Sequence, residues 1–115
     1  MESSTISIIN TIGDVYGVEA DEGQKVFDLI QKAFSKKHKV VLNFQNMEML
    51  TTAFLNTAVG QLYKDYSEEF IKEFLSVSEM TNSGKVALKR VVETAKLYYK
   101  DPEAMQQSIN DILED

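Results

Sequence analysis

Apolar and polar positions along the chain switch between a two-residue and a three-to-four-residue rhythm. From Thr5 to Ile9 they alternate before running apolar, which predicts a strand. Gly13, Gly17 and Gly23 then punctuate an acidic connection containing Asp14, Glu19, Asp21 and Glu22, with a short extended piece around Val15 to Val18. Helical spacing takes over near Asp21, where Val26, Phe27, Ile30, Ala33 and Phe34 share one face and acidic residues occupy the first turn. Lys39 to Phe44 predicts a second strand. Its Val40-Val41-Leu42 centre is continuous rather than alternating, the pattern of a strand covered on both faces or lying centrally in a partly parallel sheet.

Six residues of turn and link follow Phe44, and Thr51 opens a second helix that runs to about Asp65 with Phe54, Leu55, Ala58, Val59, Leu62 and Tyr63 at three- and four-residue intervals. Gly60 inside it costs about 1 kcal/mol against Ala, so close packing of helix on sheet is expected there. Glu68-Glu69 predicts a short turn of helix, Phe74 to Val77 a third strand, and Ser83 to Tyr99 a third helix with Ala87, Leu88, Val91, Val92, Ala95 and Tyr98 facing inward. Asp101-Pro102 reads as N-cap and first residue of a fourth helix whose Met105, Ile109, Ile112 and Leu113 stripe needs cover on the domain or on a second copy. This order of elements predicts one α/β domain over residues 1–115, a small mixed sheet covered by about four helices. Val40, Val41, Leu42, Phe54, Ala58, Leu62, Leu88 and Val92 are the expected core.

Composition narrows the class. A chain of 115 residues buries roughly two-thirds of its unfolded surface without metal or disulfide. The absence of cysteine excludes thiolate catalysis and Cys-based zinc sites. No apolar run approaches the roughly 20 residues of a membrane span, and MESSTISII lacks a basic signal-peptide start, so a soluble cytoplasmic protein is expected. A net charge of -6 opposes attraction to nucleic acid and to anionic membranes. Lys36-Lys37-His38-Lys39 reads as a helix C-terminus and the solvated turn after it.

Catalytic chemistry is scarce. His38 is the only histidine, the glycines fit neither dinucleotide nor P-loop spacing, and neither Glu68-Glu69 nor Glu114-Asp115 has the separation of a working carboxylate pair. An enzyme is not expected, nor a cofactor or a metal. The informative stretch is VVLNFQNMEMLTTAFLNTAVGQLY, residues 40–63, which sets two hydroxyls at a helix start just beyond a strand's carboxyl end. Thr51 and Thr52 read first as caps, a role worth about 1 kcal/mol, and after that as a helix terminus that tolerates phosphate.

That stretch, with the later FLSVSEMTNSGKVALKRVVETAK, resembles the STAS-like domains of unknown function, relatives of the sulfate-transporter and anti-sigma-factor-antagonist (STAS) domain, from Gln24 to Lys96. In the antagonists an Asp-Ser pair carries the phosphoacceptor serine; Thr51 falls at the Asp, Thr52 at the Ser, and Phe54 where antagonists carry glycine. The resemblance implies a regulatory interaction module, with Thr52, and after it Thr51, as phosphoacceptor. It implies a partner-binding face from Gln45 through Asn46, Met47 and Met49 to Asn56. The implied partner is a protein of the histidine-kinase-like, ATP-binding kind, with a homodimer as a further expectation. The alternative is a small-ligand or nucleotide-binding domain without catalysis, using the same helix start and an anion site at Ser83 and Lys85.

Overall fold

The computed structural model describes residues 2–100; the fourth helix expected after Asp101 lies outside them. Strand β1 (Ser3–Ser7) pairs in parallel with β3 (Lys39–Asn43), and β3 with β5 (Leu75–Ser78), in the order β1-β3-β5. The sheet is parallel throughout rather than mixed, because a helical crossover follows each inner connection. A second, two-stranded parallel pair joins β2 (Tyr16–Gly17) to β4 (Met49–Leu50).

The first strand stops two residues earlier than its pattern suggests. Ser7 caps a short helix, α1 (Ile8–Ile12), by accepting a hydrogen bond from the Asn10 N-H at 3.3 Å, and Ile8 turns into the core. Helix α2 (Ala20–Ser35) buries Val26, Phe27, Ile30, Ala33 and Phe34, the face its spacing marks out. It ends where Lys37 adopts a left-handed φ of 57° and the His38 N-H bonds the Ala33 carbonyl at 3.0 Å. His38 is half-buried rather than solvated: its Nε2 stands 3.1 Å from the Glu2 carboxylate and its Nδ1 3.4 Å from the Ser4 hydroxyl.

Among the described residues the sheet has one covered face. In register, Ile6, Leu42 and Val77 lie side by side, as do Ser4, Val40 and Leu75, and α2 packs on this side. The other side carries Thr5, Val41 and Ser76 in one row, of which Thr5 and Ser76 are exposed and Val41 only half-buried. The continuous Val40-Val41-Leu42 run thus belongs, as the second of its two readings has it, to the central strand of a parallel sheet, and among the described residues that strand is covered on one side rather than both. At the opposite end from the β3-to-β4 loop, Phe34 meets Tyr66, Phe70 and Phe74 edge-on, with ring centroids 5.1, 5.1 and 6.4 Å away.

Beyond β4 the chain forms α3 (Thr52–Leu55), a π-helical turn (Asn56–Gly60) and α4 (Leu62–Asp65), then α5 (Glu68–Phe74) leads into β5 and α6 (Asn82–Lys100) closes the described chain. The π turn is marked by the Gln61 N-H bonding the Asn56 carbonyl at 3.0 Å. Gly60 sits in it facing α6 rather than the sheet: a Cβ there would lie 3.3 Å from Val91. On α6, Val91 and Ala95 are buried and Ala87, Leu88 and Val92 half-buried, whereas Tyr98, expected inside, is 46% exposed and packs edge-on against Tyr99.

Helices α2 and α3 touch closely enough to require glycine. A Cβ on Gly23 would stand 2.5 Å from the Phe54 carbonyl oxygen and 3.0 Å from Thr57. Gly23→Ala is expected to lower stability by about 1–3 kcal/mol through overpacking, which outweighs a helix-propensity gain of about 1 kcal/mol. A fall in the urea midpoint at unchanged slope checks it; an unchanged or raised midpoint would show that the two helices separate freely.

Candidate functional site

The chain leaves β3 through a turn built by its own polar residues. The Asn43 side-chain oxygen accepts from the Gln45 N-H at 2.9 Å, Asn46 takes a left-handed φ of 66°, and the Met47 N-H reaches back to the Phe44 carbonyl at 3.1 Å. The segment expected to be only turn and link then becomes a strand. The Glu48 N-H bonds the Val15 carbonyl at 2.8 Å, Tyr16 pairs with Met49 and Gly17 with Leu50, and the Thr51 N-H bonds the Gly17 carbonyl at 3.0 Å.

These bonds fix the helix start. The Thr51 hydroxyl accepts from the Phe54 N-H at 3.2 Å and donates to the Val18 carbonyl at 2.7 Å, so both its capacities are used in capping α3 and tying it to the 15–18 segment. Thr52 differs. It is the first helical residue, it is exposed, and its hydroxyl has no hydrogen-bond partner among the described residues. It borders a cavity of about 310 Å³ together with Asn56, Arg90 and Thr94. A guanidinium thus shares the cavity with a free hydroxyl.

Around this point Gln45, Asn46, Met49 and Asn56 are exposed. Met47 is not: it is 8% exposed and belongs to the core, its methyl 3.2 Å from where a Gly17 Cβ would stand. It supports the β2–β4 pair from beneath and offers little contact area, because the Asn43–Gln45 turn directs the chain inward at that residue before β4. Two surface residues were missed by sequence reasoning. Tyr16 (49% exposed) and Val18 (38%) join Met49 (54%) in an apolar cluster on the β2–β4 pair. The extended piece around Val15 to Val18 was the only signal for them, since its pairing with residues over thirty positions away leaves no mark on local pattern.

Ser83 and Lys85 behave differently from one another. Ser83 lines a cavity of about 270 Å³ with Thr81, Gly84, the loop residues Met47 and Glu48, and Met49 of β4, so α6 and the β3-to-β4 connection meet there; Lys85 is exposed and is not on its wall. The cap of α6 is Thr81, two residues before Ser83: its hydroxyl accepts from the Gly84 N-H at 3.1 Å and lies 3.2 Å from the Ser83 hydroxyl. Glu48 on the same wall disfavours an anion. Among the described residues no group of three His, Asp or Glu is placed to hold a metal, and no helix is long and apolar enough to cross a membrane. Farther along α6, the Lys96 ammonium stands 2.9 Å from Glu68, whose hydrogen bond raises its pKa; burial raises that of the adjacent Tyr63 phenol, partly opposed by Lys96.

Comparison with curated proteins and with solved structures finds no match. A family model described as a STAS-like domain of unknown function (DUF4325) matches residues 22–85, which run from α2 through β3, the β4 strand and the Thr51–Thr52 helix start to the first turn of α6. This match covers more than half of the chain, and the protein belongs to that STAS-like family.

Proposed function

We propose that this STAS-like domain is a non-enzymatic regulatory module that binds a protein partner through the face formed by Tyr16, Val18, Gln45, Asn46, Met49 and Asn56, and that phosphate on Thr52 switches the contact. The observation that carries the reading is the exposed Thr52 hydroxyl, next in the chain to the Thr51 that holds Val18, with Tyr16, Val18 and Met49 exposed on the strand pair that leads into it. Apolar side chains grouped on a small paired strand provide contact area that a partner can desolvate. Phosphate at the first helical residue is tolerated by the terminal N-H groups and the helix dipole, and Arg90 in the same cavity offers a cation to the phosphate oxygens. The same charge of about -1.5 to -2 is costly in a desolvated contact, so modification weakens the complex while the fold persists. Thr51 is the weaker candidate, because phosphate on its oxygen removes the proton it donates to Val18.

The partner fits the histidine-kinase-like, ATP-binding regulators that related antagonists engage, acting in a cytoplasmic signalling pair. Incubation with such a kinase and ATP, followed by mass spectrometry, is expected to locate one phosphate on Thr52. Thr52→Glu is expected to weaken binding about tenfold or more with an unchanged melting curve, whereas Thr52→Ala keeps binding. Equal affinity of wild type and both variants for the kinase, or phosphate confined to other residues, would reject the assignment.

A further inference from the structure

Charge is unevenly spread along a chain of net charge -6: no acidic residue occurs between Asp28 and Glu48, while Lys32, Lys36, Lys37, Lys39 and the only histidine, His38, all fall in that interval. The fold gathers part of this run at one edge of the sheet. A cavity of about 240 Å³ opens between β1 and α2, with Ile6, Leu29 and Ala33 as its apolar floor, Lys32 and Lys36 along its helix side, and Ser4 and His38 at the start of the strand. Leu29 is 41% exposed there, and neither Lys32 nor Lys36 has an ion-pair partner among the described residues, since the Glu2 carboxylate stands against His38. No residue of β3 lines the cavity, so it lies on the outer side of β1. That side of the strand is open among the described residues. The Lys39 N-H bonds the Glu2 carbonyl at 2.9 Å, so the alternate residues Ser4 and Ile6 turn their backbone groups to β3, and Ser3 and Thr5 turn theirs outward. Both are exposed, and the strand SSTIS carries neither the charge nor the proline that commonly guards an edge.

We propose that β1 accepts an extended segment of a partner protein as a further strand, acidic where it passes Lys32 and Lys36 and apolar where it passes Ile6 and Leu29. Backbone pairing to Ser3 and Thr5 holds the segment, and selectivity comes from its side chains, because every second residue of an added strand points into the cavity between β1 and α2. One short segment reaches both ends. Leu29 and Lys36 are two helical turns apart, about 10 Å, the length of about three strand residues. Carboxylates placed there meet ammonium groups that no carboxylate of the described residues already holds. Nucleic acid fits the same patch less well, since the net charge of -6 repels a polyanion at a distance and the floor of Ile6, Leu29 and Ala33 gives phosphates no contact. The other open edge, β5, is the weaker acceptor: Lys96 near it is paired with Glu68 at 2.9 Å, and the Leu75 N-H is spent on the Ile71 carbonyl. The β1 edge shares no lining residue with the cavity at Thr52, so the proposal does not rest on the phosphate switch.

Two blocked, fluorescein-labelled octapeptides test the edge on the full chain, one with a run of glutamates before a run of valines and one with the order reversed, so that both strand directions are offered. At least one is expected to bind, to shift the amide signals of Ser3, Thr5, Leu29 and Lys32, and to slow amide exchange at Ser3 and Thr5. The paired change Lys32→Glu and Lys36→Glu is expected to weaken binding about tenfold or more at an unchanged melting curve. Lys32→Gln with Lys36→Gln, which puts no new negative charge at the helix C-terminus, is expected to weaken it in the same direction by less. N-methylation of the peptide backbone is expected to abolish binding, because it removes the strand's donors. Failure of both peptides to bind, binding that survives N-methylation or the loss of both lysines, or shifts confined to other residues would overturn the proposal. So would a single-stranded DNA dodecamer that binds the same residues more tightly, which assigns the patch to nucleic acid, or a dimer in sedimentation that the paired lysine changes dissolve, which assigns the edge to a second copy.

Discussion

Phe54→Ala is expected to destabilise the protein by about 3–5 kcal/mol, a large share of the roughly 5–15 kcal/mol that holds a domain of this size together. Phe54 is fully buried in α3, and neighbours close on it from several directions: its ring lies 3.3 Å from the Cβ position of Gly17, and its carbonyl oxygen 2.5 Å from that of Gly23. Glycines hold both approaches open, so the surroundings are shaped to this ring and collapse poorly around alanine. The consequence reaches the surface. The Phe54 N-H is the donor that the Thr51 hydroxyl accepts, and the same hydroxyl ties Val18 to the helix start, so loosening Phe54 frees the β2–β4 pair that carries Tyr16 and Met49. Urea unfolding measures the first effect and amide exchange at Glu48 and Thr51 the second. A loss below about 1 kcal/mol, the range of a single helix cap, would show that α3 is not anchored by its aromatic residue.

Helices and their starting caps were legible where one short window contains the whole signal. The face of α2 follows from the spacing of Val26, Phe27, Ile30, Ala33 and Phe34, and Thr51 announces α3 because a hydroxyl three residues before Phe54 can reach its N-H. Thr81 could have been found by the same rule, but Ser83-Gly84-Lys85 has the look of a terminus and drew attention two residues too far along. The β2–β4 pair was not legible. A two-residue parallel pairing has almost no propensity of its own and forms only because the Asn43–Gln45 turn and the α1-to-α2 connection bring its strands together. With that pairing went Tyr16 and Val18, and with it came the burial of Met47. The π turn was hidden for a related reason: Gly60 announces a weak point in a helix, while only the approach of the Asn56 side-chain oxygen, 2.5 Å from its Cβ position, and of Val91 on α6, 3.3 Å away, shows why a residue without Cβ belongs there.

The side chains of β3 decide how much of the sheet is covered, and two substitutions separate the possibilities. Leu42→Ala is expected to cost about 2–5 kcal/mol, because Leu42 is fully buried beneath α2 in the middle strand, between Ile6 and the edge residue Val77. Val41→Ala, one residue away, is expected to cost only about 1 kcal/mol, since Val41 lies half-buried on the side shared with Thr5 and Ser76. A strand covered on both sides would make the two losses comparable. Equal losses in urea titrations of the two variants would therefore contradict the one-sided sheet.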